Sequence, residues 1–426
     1  MRDNYRATQV FVPGGMPRHT YVERQSTELE ARLRSVSDNL CKLATLTGAT
    51  KSGKTVLASR VFPRGTGENV WIDGGSVRQE DDLWLQILAE LGGHTEYEYE
   101  EGAERTNELA GKLEAEAKLP LIASGKGEVQ ATTGRTTSTT TRKALAQSPR
   151  AAAVSALRRK GKPLVIDDFH YLDRGLQGDI VRALKPLVFE GQPVLIIAIP
   201  HRRYDAVKVE REMTGRLENI IVPAWTATEL VGIARAGFPL LNAELADTVC
   251  THLADQAFGS PHLMQEFCRE ICTREGISET LEKHVSISFV PQSLFQSIAE
   301  GTGKVIFEKL AKGPTQRTDR KPRPLVVGGD ADIYRVVLLA LARMSPGMDR
   351  VDYESLRTAI RATVKTDAPQ AHEVSRVLES MSEIASKDEA ATPVIDWDKD
   401  DRMLHVTDPF FAFFLKWGEV NSTSPQ

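Results

Sequence analysis

The octapeptide Gly48-Ala49-Thr50-Lys51-Ser52-Gly53-Lys54-Thr55 constrains this chain more than any other stretch. It matches the pattern GxxxxGK[ST], follows the apolar run Leu40–Thr47 directly, and opens a helix-compatible segment, Lys54–Phe62. In a strand–loop–helix setting the glycines let the backbone curl until its N–H groups face one point. The helix N-terminus adds a potential that favours an anion there. Gly48, Lys51, Ser52, Gly53, Lys54 and Thr55 are therefore expected to hold the phosphates of a nucleotide. Lys54 would reach the β- and γ-phosphates, and Thr55 would ligate Mg²⁺.

A second run, Leu164-Val165-Ile166-Asp167-Asp168, is a strand ending in paired carboxylates. Asp167 is placed to hold the Mg²⁺ through water, and Asp168 to orient or deprotonate an attacking water. The plainer alternative is a strand-end carboxylate that caps the next helix. Three further apolar runs, Val70–Gly74, Pro193–Pro200 and Asn219–Ala224, alternate with amphipathic segments at Glu80–Leu91 and Gln177–Phe189. Unbroken apolar runs separated by helices predict an α/β fold with a parallel sheet covered on both faces.

Beyond the last of these strands the pattern turns helical, with Thr226–Ala236, Ala243–Ala257 and Pro261–Thr273. Thr226 and Glu229 have capping-box spacing, and Pro261 suits a first helical turn. Two stretches interrupt the order. Residues 93–162 read as a mobile insertion, acidic with a helical pattern at Glu101–Ala117, then Ser/Thr-rich and basic. Lys312–Pro324 reads as a linker. The C-terminal part offers three helices, Ile333–Arg343, Tyr353–Val364 and Pro369–Ser386, then a hairpin from Pro393–Trp397 and Met403–Val406. Three helices and a wing make the winged-helix plan. The expected domains are thus 1–225 for the nucleotide-binding core, 226–311 for a helical lid, 312–330 for the linker and 331–426 for the winged helix.

Composition narrows the class. A chain of 426 residues suits two or three domains. With 54 Lys+Arg against 58 Asp+Glu it is not basic throughout, and 41% hydrophobic content excludes general disorder. No apolar run is long enough for a spanning helix, the N-terminus lacks a secretory signal, and four cysteines make no disulfide framework. Cys268 and Cys272 lack a companion pair at zinc spacing and read as core. These features predict a cytoplasmic protein that does not enter the membrane.

Taken together, the two motifs and the domain plan resemble the AAA+/STAND division of P-loop ATPases, over about residues 20 to 417 without the insertion. The resemblance implies an ATPase that binds ATP and Mg²⁺, with further site residues. Tyr21-Val22-Glu23-Arg24 resembles the adenine-side box, with Glu23 in place of its glycine, so Arg24 joins the expected cofactor set. His201 closes a sensor-like strand. Arg216 stands where related ATPases carry an arginine that neutralises transition-state charge, in the same subunit or a neighbour; pairing with Glu212 or Glu218 is the plainer reading. Gly259-Ser260-Pro261-His262 resembles the Gly-x-Pro element of the lid, which adds Pro261 and His262. Thr407–Trp417 resembles the segment that closes the winged helix. An Asp at 168, shorter than the Glu usual in fast ATPases, implies slow turnover.

Two functions follow from this resemblance. One is a nucleotide-controlled oligomerisation or signalling switch, acting in anti-phage defence with a separate effector or partner protein. The other is a DNA-handling ATPase of the replication-initiator or transposition-regulator type. Charge separates them: His372, Glu373, Arg376, Glu379, Glu383 and Lys387 make no basic face on the third winged-helix helix, and the wing Asp396–Asp401 is acidic. Binding DNA needs cations to neutralise phosphates. The switch is favoured, with a homo-oligomer as its expected assembly and only weak nucleic-acid binding through the insertion and linker.

Overall fold

The computed structural model describes residues 3–38, 41–92, 148–199, 215–315, 320–345, 347–348, 350–386 and 393–418. A five-stranded parallel sheet runs in the order β2-β3-β4-β1-β5. Its strands are β1 (Leu43–Gly48), β2 (Val70–Asp73), β3 (Leu164–Asp167), β4 (Val194–Ala198) and β5 (Leu217–Val222). Val70 lies opposite Leu164, and Leu164 opposite Val194. Every position of β1, β3 and β4 is buried, so these strands read in the sequence as continuous apolar runs rather than as alternation. The strand order reverses between β4 and β1, and the carboxyl ends of strands at such a reversal form a crevice where ligands bind. The Gly48–Thr55 loop leaves β1, and Asp167 ends β3.

The chain divides into two compact units. One comprises Met1–Glu30, Thr47–Leu57 and Ile221–Gln426; the other comprises Ala31–Leu46 and Ala58–Ile220. In the first, one apolar cluster runs from Val10 and Phe11 through the lid helices Ala227–Gly237, Asp247–Gln256 and Pro261–Arg274. It continues into the helices Ile333–Met344 and Pro409–Trp417. Thr226 caps its helix as its spacing predicts: its hydroxyl accepts from Glu229 N, and Glu229 accepts from Thr226 N. Phe411 and Phe413 are fully buried, which fits a closing segment whose aromatics are core.

Several segments differ from expectation. Residues 149–160, read as part of the insertion, form the helix Pro149–Lys160 with Ala153, Ala156 and Leu157 buried. Its apolar stripe is narrow because small alanines suffice against the Glu80–Glu90 helix, and its basic last turn hid the signal. The rest of the insertion, with Glu101–Ala117 and the threonine tract, lies outside the described residues. Ala243–Ala257 is not one helix. Asn242 takes a left-handed backbone, Ala243–Leu245 becomes β6 paired in parallel with β7 (Val285–Ile287), and the helix starts at Asp247. The linker is partly ordered by the pair β8 (Arg323–Pro324) and β9 (Asp330–Ala331), and Arg320 bonds Asp332. The winged-helix region has a third strand, β10 (Arg350–Asp352), in the order β10-β12-β11 with β11 (Ile395–Asp398) and β12 (Met403–Val406). Three residues with only Val351 buried are too few to show a period. Among the described residues no helix is long and apolar enough to cross a membrane.

Candidate nucleotide-binding site

Gly48 opens the loop where only glycine fits: a Cβ there would stand 2.7 Å from the Val222 carbonyl oxygen. Lys51 and Gly53 both take positive φ, which curls the backbone as the motif requires. Lys54 folds over its own loop, its Nζ donating to the carbonyls of Gly48 at 3.0 Å and Ala49 at 2.8 Å. The hydroxyls of Thr50 and Ser52 are buried without a hydrogen-bond partner. Leaving a buried hydroxyl unsatisfied costs about 1–3 kcal/mol, and phosphate oxygens are acceptors that would satisfy both. This orphaned pair fits a bound nucleotide. Thr55 is exposed in the first turn of the Lys54–Val61 helix.

The lid grips the loop from its backbone side. Trp225 Nε1 donates to the Ser52 carbonyl at 2.9 Å, and Ser260 Oγ donates to the Lys51 carbonyl at 3.4 Å. Ser260 also caps the Pro261–Arg274 helix, and Pro261 packs against Gly53. Arg24 donates to Glu229 at 2.9 Å and to the carbonyls of Pro223 and Ala224 at 2.9 and 3.1 Å, with its guanidinium over the Trp225 ring. Three of its five N–H donors are thus committed to the start of the lid. Burial pushes the Glu229 carboxyl up, but hydrogen bonds from Arg24 and Thr226 outweigh it and leave the group below its usual range. The arrangement suits a clamp that fixes Trp225 over the loop. By sequence, Ser260 falls in the expected lid and Trp225 at the end of the expected core, and neither belongs to the phosphate motif.

His262 sits edge-on to the Phe410 ring, with centroids 4.9 Å apart. Burial, then the charge of Lys51, outweigh the pull of Asp408 and lower its pKa to about 4, so it is neutral near pH 7. The unfolded chain protonates this histidine near pH 6.5, the folded protein only near pH 4. Stability is therefore present above pH 6.5 and lost as pH falls from there towards 4. His262→Gln should shrink the drop in melting temperature between pH 7 and pH 4.5. An equal drop in both proteins would count against this account.

Lys51 reaches the winged-helix end of the same unit. Its Nζ lies 2.9 Å from Asp408 Oδ2 and 3.8 Å from the centre of the Phe410 ring. Asp408 Oδ1 meanwhile accepts from the Phe410 and Phe411 amides at 2.8 and 3.1 Å, capping the last helix.

In the other unit, Asp167 Oδ1 accepts from Asp168 N at 3.0 Å and Oδ2 from Arg64 Nη2 at 2.7 Å. Arg64 lies over the Trp71 ring, with 4.2 Å to its centre. Nothing in the sequence marked this arginine, which stands in an ordinary Pro-Arg-Gly turn. Asp168 adopts a left-handed backbone, its side chain half-exposed, with His170 Nδ1 4.0 Å from Oδ1. The carbonyls of Asp167 and Asp168 lean over Gly74, where a Cβ would meet them at 2.9 and 2.7 Å.

Among the described residues no three His, Cys, Asp or Glu gather to hold a metal by themselves. A buried carboxylate and a threonine hydroxyl are hard oxygen donors. They fit Mg²⁺ delivered with substrate phosphates rather than in a protein cage. Cys268 and Cys272 are buried core thiols; burial pushes Cys272 up to about 12 and Cys268 higher than its ordinary value.

Arg216 is exposed, with its guanidinium 5.2 Å above the ring of Phe189, itself 63% exposed. Its carbonyl accepts from Leu43 N, which opens β1. Glu218 pairs with Arg32 and Lys42. His201 and Glu212 lie outside the described residues.

No protein-family model matches the sequence, and no curated protein does. Solved structures do match. The Walker-type ATPase paby2304 of Pyrococcus abyssi is similar with a TM-score of 0.53 and 15% identity, covering 94% of this chain and 97% of that one. The chain has the α/β fold of a P-loop ATPase, with a five-stranded parallel sheet. Cdc6p from Pyrobaculum aerophilum is similar with a TM-score of 0.43 and 13% identity, over 98% of this chain and 99% of that one. A STAND protein with a tetratricopeptide repeat sensor, PH0952 from Pyrococcus horikoshii, matches with a TM-score of 0.36 and 14% identity, over 95% of this chain and 43% of that one. At such identities the likeness speaks for the fold alone.

Proposed function

We propose that the protein binds ATP with Mg²⁺ at Gly48–Thr55, hydrolyses it slowly, and uses the bound nucleotide to switch its oligomeric state or its hold on a partner protein. The observation that carries this reading is the grip on the loop. Consecutive loop carbonyls, those of Lys51 and Ser52, are held by Ser260 and Trp225 of the lid. A loop that shifts when phosphates fill it must move the lid with it. A role in anti-phage defence with a separate effector rests on analogy with prokaryotic STAND proteins.

The DNA-handling alternative is weakened by how the candidate cations are engaged. Arg158 pairs with Glu190, Arg320 with Asp332, and Arg323 with Glu373 of the third winged-helix helix. Glu379 on that helix pairs with Lys399 of the wing. Each internal pair removes a charge that a DNA phosphate would need. Lys387 lies outside the described residues.

Lys54→Ala tests the site. Losing charge-assisted hydrogen bonds to phosphate, worth about 1.5–3 kcal/mol, should weaken a fluorescent ATP analogue by roughly ten- to a hundredfold with the melting curve retained. Unchanged binding would move the nucleotide elsewhere. Mass measurement of the wild type with ATP, ADP and no nucleotide tests the switch.

A further inference from the structure

We propose that Asp408 makes the site discriminate between nucleoside triphosphates and diphosphates, by holding Lys51 until a more highly charged anion takes it. This rests on the loop being the nucleotide site. The two oxygens of Asp408 have separate duties: Oδ1 caps the Pro409–Trp417 helix through two amides, and Oδ2 holds the Lys51 ammonium at 2.9 Å. The carboxylate is buried, and the ammonium is wedged between it and the face of Phe410. Phe410 in turn packs on His262, which begins the lid helix and carries no charge near neutral pH. Asp408 is thus the carboxylate that an incoming phosphate chain must compete with for Lys51.

The competition is graded by charge. A buried carboxylate beside the phosphate loop repels any nucleotide, and repels a triphosphate more than a diphosphate because the interaction scales with charge. The ammonium of Lys51 is attracted in the same order. A triphosphate therefore gains more by drawing Lys51 away from Asp408, and once it has done so the C-terminal helix loses its ionic tie to the loop. A diphosphate gains less and leaves the tie largely in place. The cap through Oδ1 does not depend on Lys51, so the helix stays folded when the tie breaks.

Asp408→Asn removes the charge and keeps an oxygen for the cap. Binding of a slowly hydrolysed ATP analogue and of ADP, both with Mg²⁺, should shift in the variant so that their affinity ratio moves about fivefold towards the triphosphate, the scale of one partly exposed ion pair. In the wild type, which needs no variant to fold, hydrogen exchange across Pro409–Trp417 should rise more with the ATP analogue than with ADP. An unmoved ratio, or equal exchange with the two nucleotides, overturns the role of Asp408. Lys54→Ala separates the two readings. If it loses binding while the ratio stays put, the site stands and Asp408 falls; if it binds as the wild type does, both fall together.

Discussion

Asp168→Asn should bind ATP as tightly as the wild type and turn it over about 10²–10⁴-fold more slowly, the usual share of a general base. Asn keeps the shape and can still present an oxygen to water, but it cannot accept a proton. The geometry suits this division. Asp167 is buried, with both oxygens already in hydrogen bonds to Asp168 N and Arg64. Asp168 takes a left-handed backbone just after the strand, and its side chain is 45% exposed. One carboxylate is buried and the other is half-exposed. Single-turnover measurement of phosphate release, alongside binding of a labelled analogue, separates the chemical step from affinity. Equal turnover in the two proteins would reassign water activation and leave Asp168 as a turn residue.

The contrast between these two carboxylates also marks where sequence reasoning reached and where it stopped. The phosphate motif and the strand ending in Asp167-Asp168 were legible because each binds one chemical task to one contiguous segment. The strands of the sheet were legible for a similar reason, since full burial writes itself as an unbroken apolar run. Trp225, Ser260 and Asp408 act on the loop from segments about 170 to 360 residues away in the chain, and no local spacing announces such contacts. Arg24 was found through a resemblance, yet its donors go to Glu229 and two carbonyls, which makes it a brace for the lid. The Pro149–Lys160 helix was missed because a stripe of alanines is too weak a hydrophobic signal beside a basic last turn. Strands β6 and β10 were missed because three residues cannot display a period.

Arg216→Ala should lower turnover by as much as ~10³-fold, the lower bound for a transition-state arginine, while leaving ATP binding intact. The decisive result lies in mixing. Arg216 is exposed, and its carbonyl accepts from Leu43 N at the start of β1. We propose that Arg216 serves the phosphates of a neighbouring copy, and mixing tests it. Lys54→Ala should bind nucleotide only weakly but keeps Arg216; Arg216→Ala should bind nucleotide but offers no arginine. Each alone should be nearly inactive. Mixed, a Lys54→Ala subunit can present its Arg216 to the intact loop of an Arg216→Ala subunit, so activity should return to a sizeable fraction of wild type. Phe189, exposed beneath Arg216, gives that contact an apolar footing, and Phe189→Ser should blunt the recovery. Turnover per subunit should also rise with protein concentration, since the complete site exists only in the assembly. An arginine acting within its own subunit predicts no recovery on mixing and no dependence on concentration, and either result would return Arg216 to the role of a surface cation.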